Sequence, residues 1–349
     1  SFSVDPRPLD PAVPANPLQK LLFKIMYSKQ GDYEAQLRSM GLLDSDAFSC
    51  TCYQPEVGNR PQRGDILSWA ESSAVVFANS VLGARCNRNS GIIEMFGSIA
   101  GFVPEFGLLT DEGRKATWII EVDCKRKPEA QVLGSAIGMK VMEDVPYIKG
   151  LDRWLGRELT PDTQDYLKDM GAASASNGAV GLYHVDGITP EAVEQGEQLI
   201  APDAQIYRID DAELEHIRSS YPIMWKNPGA RPKLAFIGCP HLSSAQLAHW
   251  ADAICDELSA SGNCRVQVPT VLTAAPSVAD AFRKTAAYRR LSTTGAVVSS
   301  ICPLMYTNNP LCGSMPIITN SNKLRTYSAS RYYTDDEVLA YVTTGKPIK

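Results

Sequence analysis

Among the nine cysteines spread over the 349 residues, two stand in a repeated context. Cys239 and Cys302 each end an apolar run and are each followed by proline, in LAFIGCP and VVSSICP. A thiolate is both a nucleophile and a soft metal ligand, and proline fixes the turn while removing one backbone donor beside the sulfur. Two thiols are too few for an ordinary cluster, so a third would have to come from Cys50, Cys52 or Cys86. Three thiolates would hold an iron–sulfur cluster with one iron left open, and an open iron can act as a Lewis acid on a hydroxyl group. The bland alternative is a set of buried, inert cysteines at strand ends. Zinc-type C-x-x-C pairs, H-E-x-x-H, phosphate-cradling G-x-x-x-x-G-K-[ST], G-x-S-x-G and a strand followed by G-x-G-x-x-G are all absent. Nucleophilic chemistry at Cys239 with His241 is a further reading, weakened because residues two apart in an extended turn need not face each other.

A second concentration of polar chemistry is Ser68 to Ser90, SWAESSAVVFANSVLGARCNRNS. The apolar run Ala74 to Ala78 is flanked by Glu71, Ser72 and Ser73 on one side and by Asn79, Ser80, Arg85, Cys86, Asn87 and Arg88 on the other. A packed core has no use for so many donors and acceptors unless they satisfy one another or a ligand. The competing reading is a helix that starts at a serine cap and ends in a solvated basic turn.

The elements that must position these groups divide at WKNPGARPK, Trp225 to Lys233. Beyond it KLAFIGC, RVQVPTVL, GAVVSSICP and PIITNSN read as strands alternating with helices, which implies a mostly parallel sheet covered on both faces. Polar residues after such strands gather at the carboxyl edge, where Cys239, Cys302, Asn320 and Ser321 would meet. Before the boundary, Leu18, Leu21, Leu22, Ile25 and Met26 repeat at helical spacing over Pro17 to Gly41 and read as scaffold. Phe48 to Tyr53 reads as a short strand that points Cys50 and Cys52 to opposite faces. Cys124 falls beside Lys125, Arg126 and Lys127 on a surface turn, and His184 sits at a strand end as a structural residue.

The formal net charge of -5, from 34 Lys and Arg against 39 Asp and Glu, gives no electrostatic footprint for nucleic acid or an anionic membrane. No apolar run approaches the roughly 20 residues that span a bilayer, and scattered cysteines suit reduced thiols. We expect a soluble, cytoplasmic chain.

ESSAVVFANSVLGARCNR (Glu71 to Arg88), IGCPHLS (Ile237 to Ser243), ICP (Ile301 to Pro303), TNSNKLRTY (Thr319 to Tyr327) and CTCY (Cys50 to Tyr53) together resemble the catalytic region of aconitase X. The resemblance implies an α/β fold: a three-layer α/β/α aconitase-like large region with mostly parallel sheets. Residues 1–225 would form its first part, N-terminally incomplete because SFSVD resembles a segment well inside that region. Residues 231–349 would form the α/β module carrying Cys239 and Cys302. The small swivelling domain is absent from the sequence, and in the wider superfamily a serine on that domain serves as the base, so a partner subunit or missing domain is implied.

By position Cys50, Cys239 and Cys302 match the family's shared cysteines and become the expected ligands of an iron–sulfur cluster. Cys86 stands where many relatives have threonine and is a reserve ligand. Glu71, Ser72, Ser73, Asn79, Ser80 and Arg85 would line the substrate site, with Ser73 and Arg85 as the catalytic side chains. Asn320, Ser321 and Lys323 would form a carboxylate- or phosphate-binding turn. The implied activity is a hydro-lyase dehydrating a small hydroxy acid, with cis-3-hydroxy-L-proline favoured over mevalonate 5-phosphate because no cluster of cations marks a phosphate site. A non-catalytic ligand- or partner-binding subunit without a cluster is the alternative from another class.

Overall fold

The computed structural model describes residues 4–42 and 47–348. The first three residues of the SFSVD opening therefore lie outside the described residues. The chain forms two compact units, one of residues 5–58 with 222–349 and one of residues 59–221.

The first unit is built on a five-stranded sheet of order β7-β6-β5-β8-β9, with β5 Leu234–Leu242, β6 Thr270–Ala274, β7 Val297–Ser299, β8 Ile317–Thr319 and β9 Arg331–Tyr332. Every pairing is parallel. All residues of β5 and β6 are buried, as expected of strands covered on both faces. Alternation along β5 feeds two cores. Ala235 and Ile237 pack with Leu247, Trp250 and Ile254 of the helix Ser244–Ala260 and with Val338 and Val342 of the helix Asp335–Thr344. Leu234 and Phe236 pack with Val13, Phe23, Ile301, Tyr306 and Leu324. Residues 5–58 thus join this unit because Val13 and Phe23 cover the second face of its sheet. Three layers result, in agreement with the expected α/β class.

The periodic segment at Pro17 forms two helices, Pro17–Met26 and Gln30–Ser39, rather than one. Its apolar stripe is not the buried face. Gln19 and Phe23 face inward, whereas Leu18, Leu21, Ile25 and Met26 are exposed. Tertiary packing of one aromatic ring has overridden the spacing.

In the second unit a parallel sheet of order β3-β2-β1-β4 comprises β1 Ala116–Val122, β2 Pro146–Lys149, β3 His184–Val185 and β4 Ile200–Ile209. Its Gly- and Ser-rich stretches are helices, Ala130–Val141 and Pro161–Asn177. A Cβ on Gly134 would lie 2.1 Å from the Met170 carbonyl oxygen and one on Gly138 would lie 2.5 Å from that of Ser174, so the small residues permit close backbone approach. Cys124 is buried rather than on a surface turn. Its Sγ faces the Ile209 carbonyl at 3.7 Å, and burial pushes its pKa up to about 11, so the neighbouring cations do not favour a thiolate.

Candidate active site

Strand β5 delivers Cys239 by an irregularity. Ile237 pairs with Leu272 and Leu242 with Ala274, so β5 carries extra residues, Gly238 to His241, between two registered points. Gly238 has φ +103, and a Cβ there would stand 2.6 Å from the Thr273 carbonyl oxygen, which leaves glycine as the residue that fits. Cys302 follows β7 and serves as the cap of the helix Pro303–Thr307, with its backbone N–H donating to the Arg7 carbonyl at 2.8 Å. Cys50 lies in a buried turn that runs to Tyr53, so the strand from which the opposite placement of Cys50 and Cys52 was expected is not formed there. The turn forms because Ser49 Oγ accepts from the Thr51 backbone N–H at 3.0 Å, a local bond that competes with extension.

These three segments meet. The His241 backbone N–H donates to Cys50 Sγ at 3.2 Å. The Cys302 thiol is pushed up to about 12, first by burial and then by the charge of Cys239 nearby, while Lys323 pulls the other way. All nine cysteines are free of disulfides, and Cys50, Cys239 and Cys302 are all buried. Among the described residues no three His, Cys, Asp or Glu side chains come together as ligands of one metal ion. A tetrahedral single ion needs its sulfurs within roughly 4 Å of one another, whereas in a cluster each thiolate binds its own iron. Three buried thiols on segments that meet at His241, with Lys323 acting electrostatically on Cys302, therefore fit a cluster in donor type and number.

The expected anion-binding turn is largely spoken for. Ser321 caps the helix Asn322–Tyr327, with its Oγ accepting from the Leu324 N–H at 3.1 Å and donating to the Cys239 carbonyl. Asn320 donates to Asp335 at 2.8 Å. Lys323 is buried and faces Cys302 electrostatically.

In the second unit the polar stretch closes on itself. Glu71 caps the helix Ser72–Ser80, and one of its oxygens accepts from the Ala74 N–H and from Ser73 Oγ, both at 2.7 Å. Ser73 has no exposed surface, whereas Ser72 is half-buried. Asn79 uses its full capacity: it donates to the Cys86 and Gly181 carbonyls, both at 2.8 Å, and accepts from Cys86 N–H at 2.9 Å and Arg114 Nη1 at 3.2 Å. Ser80 Oγ accepts from the Tyr183 N–H at 2.9 Å. The Cys86 thiol is enclosed by the backbone of Trp69 and Asn87, and burial raises its pKa to about 12. Arg85 donates to the Leu109 carbonyl at 2.8 Å and pairs with the exposed Asp111, whose carboxyl this contact holds below its usual value.

Sequence reasoning missed the group that organises this stretch. Arg114, 1% exposed, makes a two-pronged ion pair with Glu191 at 2.7 and 2.8 Å and also donates to the Asn79 carbonyl at 3.2 Å. His184 donates from Nε2 to the Arg114 carbonyl at 2.8 Å, and burial lowers its pKa, so the 3.7 Å approach of Nδ1 to Glu191 joins a neutral ring to a carboxylate. The structural reading of His184 is borne out.

Family models match the chain in order: aconitase X first domain over residues 17–112, second domain over 116–219 and third domain over 232–336. The chain belongs to the aconitase X family. It is similar to a crystal structure of Thermococcus kodakaraensis aconitase X in a holo form, with a TM-score of 0.75 and 30% identity over 97% of this chain and 80% of that one. The phosphomevalonate dehydratase large subunit of Thermococcus kodakarensis is 34% identical over 86% of this chain and 72% of its own length. The cis-3-hydroxy-L-proline dehydratase of Pseudomonas aeruginosa is 31% identical over 81% of this chain and 47% of its own length. The last two relatives are named dehydratases, which bears out the expectation of a hydro-lyase. No helix among the described residues is long and apolar enough to cross a membrane.

Proposed function

We propose that this aconitase X chain is the cluster-bearing part of a dehydratase that removes water from a small hydroxy acid. The observation that supports this reading is that the segments carrying Cys50 and Cys302 are both bonded to His241, two residues past Cys239 on β5. Cys50, Cys239 and Cys302 would hold an iron–sulfur cluster as thiolates, with the buried Lys323 offsetting negative charge beside Cys302. Such a cluster would supply an open iron as a Lewis acid for the departing hydroxyl.

In the other unit, Arg85 is the group suited to a substrate carboxylate. Its partner Asp111 is exposed, and exposed ion pairs are held weakly, so a substrate can replace it. Glu71 carries the carboxylate that Ser73 orients through its hydroxyl; Ser73 acts through Glu71 rather than on substrate. Asn79 and Ser80 keep their roles in shaping the loop. A small subunit or further domain completes the enzyme and brings the base. The name large subunit borne by the Thermococcus relative supports this.

For the substrate we infer cis-3-hydroxy-L-proline, because the Ser321 hydroxyl and the Asn320 amide of the expected anion-binding turn are already used. Mevalonate 5-phosphate is the second reading, favoured by the longer match to the Thermococcus large subunit. Anaerobically reconstituted protein, assayed with each compound in the presence of the small subunit of a relative, tests both. Release of water from one and not the other assigns the substrate. Turnover of neither, with a loaded cluster, overturns the dehydratase reading for this chain.

A further inference from the structure

The three cysteine segments are far apart in sequence, yet one side chain touches all of them. His241 has no exposed surface. Its Nε2 lies 3.1 Å from the carbonyl of Ile301, the residue before Cys302. Nδ1 lies 3.1 Å from Ser49 Oγ, in the residue before Cys50. The His241 backbone N–H donates to Cys50 Sγ at 3.2 Å, and His241 itself follows Cys239 by one proline. A carbonyl only accepts, so Nε2 bears the hydrogen, and in the neutral ring Nδ1 then accepts the Ser49 hydroxyl proton. With Nδ1 committed to Ser49, His241 is not the base of a Cys239 nucleophile.

We infer that His241 is the positioning residue of the thiol set: it pins the Cys50 turn and the Cys302 segment to the β5 bulge that carries Cys239. The role rests on the reading that these thiols hold a cluster, but the tie itself belongs to the protein without one. Donors supplied from three distant segments bind a multi-iron group well only if their spacing is fixed beforehand, and polar partners outside the ligands do this in metal sites generally. The Ser49–His241–Ile301 chain is buried and contains no carboxylate, so it adds no anion that would compete with the thiolates for the cluster. Ser49 extends the tie across Cys50, since Thr51 Oγ1 is 3.1 Å from Ser49 Oγ.

The test is site-resolved alkylation of the whole cluster-free chain, read by mass spectrometry, with buried Cys255 and Cys312 as internal controls and exposed Cys264 as the fast reference. In Ser49→Ala, Cys50 reacts faster by on the order of tenfold, the scale of one lost hydrogen bond, while Cys302 and the controls keep their rates. His241→Gln, whose amide nitrogen can still reach the Ile301 carbonyl, accelerates Cys50 and spares Cys302. His241→Ala accelerates both. Unchanged Cys50 in Ser49→Ala and in His241→Gln overturns the proposal, as does equal acceleration of the controls in those two milder variants. A second readout on reconstituted Ser49→Ala, faster iron release to a chelator, connects the tie to the cluster. Should the wild-type chain take up no iron while the alkylation pattern holds, the tie stands and the cluster reading falls.

Discussion

Each unit buries one histidine against a parallel strand, His184 in β3 and His241 in β5, and the two are put to opposite use. His184 belongs to a charged knot in which Arg114, Glu191 and Asn79 satisfy one another. His241 belongs to a chain without carboxylates, from Ser49 to Ile301, whose ends are the residues before Cys50 and Cys302. A closed knot of opposite charges has little left to offer a ligand and much to lose if opened. A chain of hydroxyl, ring and carbonyl without carboxylates has no ion pair to lose and leaves the cysteines at its margin. Density of polar residues therefore marks the framework in one unit, whereas we propose that the sparse cysteines at strand ends mark the chemistry in the other.

The contrast is broken most forcefully by Glu191→Ala. It leaves the Arg114 guanidinium buried without its partner, and we expect a loss of about 3–5 kcal/mol in urea unfolding. Combining it with Arg114→Met should recover most of that loss, because no uncompensated charge remains. A loss near zero for the single variant would mean that the knot is not what holds the second unit.

Substrate recognition sharpens the comparison next. We propose Arg85, whose ion-pair partner Asp111 is exposed, as the group for the substrate carboxylate, and Arg85→Gln should lower kcat/KM by about ten- to hundredfold, the scale of a hydrogen bond to a charged group. Unfolding should be little changed, since the Asp111 pair is open to water. Equal kcat/KM in the variant would remove Arg85 from the substrate site.

Acid should separate the histidines more gently. Burial lowers the His184 pKa, so the fold prefers the neutral ring. The stability it contributes is present above the unfolded value of about 6.5 and is lost as pH falls through the lower folded value. His184→Gln, which can still donate to the Arg114 carbonyl, should flatten the fall of the urea midpoint between about pH 7 and 5; an unaltered slope would place that sensitivity elsewhere.

How much of this was legible depended on distance along the chain. Cys239 and Cys302 were readable because strand, cysteine and proline are adjacent, and a parallel sheet must bring its carboxyl ends together. The parallel α/β class followed from the same alternation. The role of Asn79 was not readable, since its partners Arg114 and Gly181 lie far downstream and nothing local announces them. The Phe48 to Tyr53 segment looked extended, but Ser49 captures the Thr51 N–H and turns it. Leu18, Leu21 and Ile25 had helical spacing and yet lie outward, because Phe23 packs beside Tyr306 and Gln19 bonds Cys312 on the inward face. His241 carried one signal that could have been used, a lone histidine directly after a Cys-Pro strand end.

The most direct test of the central claim compares the visible absorption and iron content of anaerobically purified wild type with those of a Cys239→Ala, Cys302→Ala double variant. The account predicts a brown, iron-bearing wild type and a colourless, iron-free variant that still folds. A wild type that takes up no iron after anaerobic reconstitution, or a double variant that keeps the wild-type colour and iron, would contradict it.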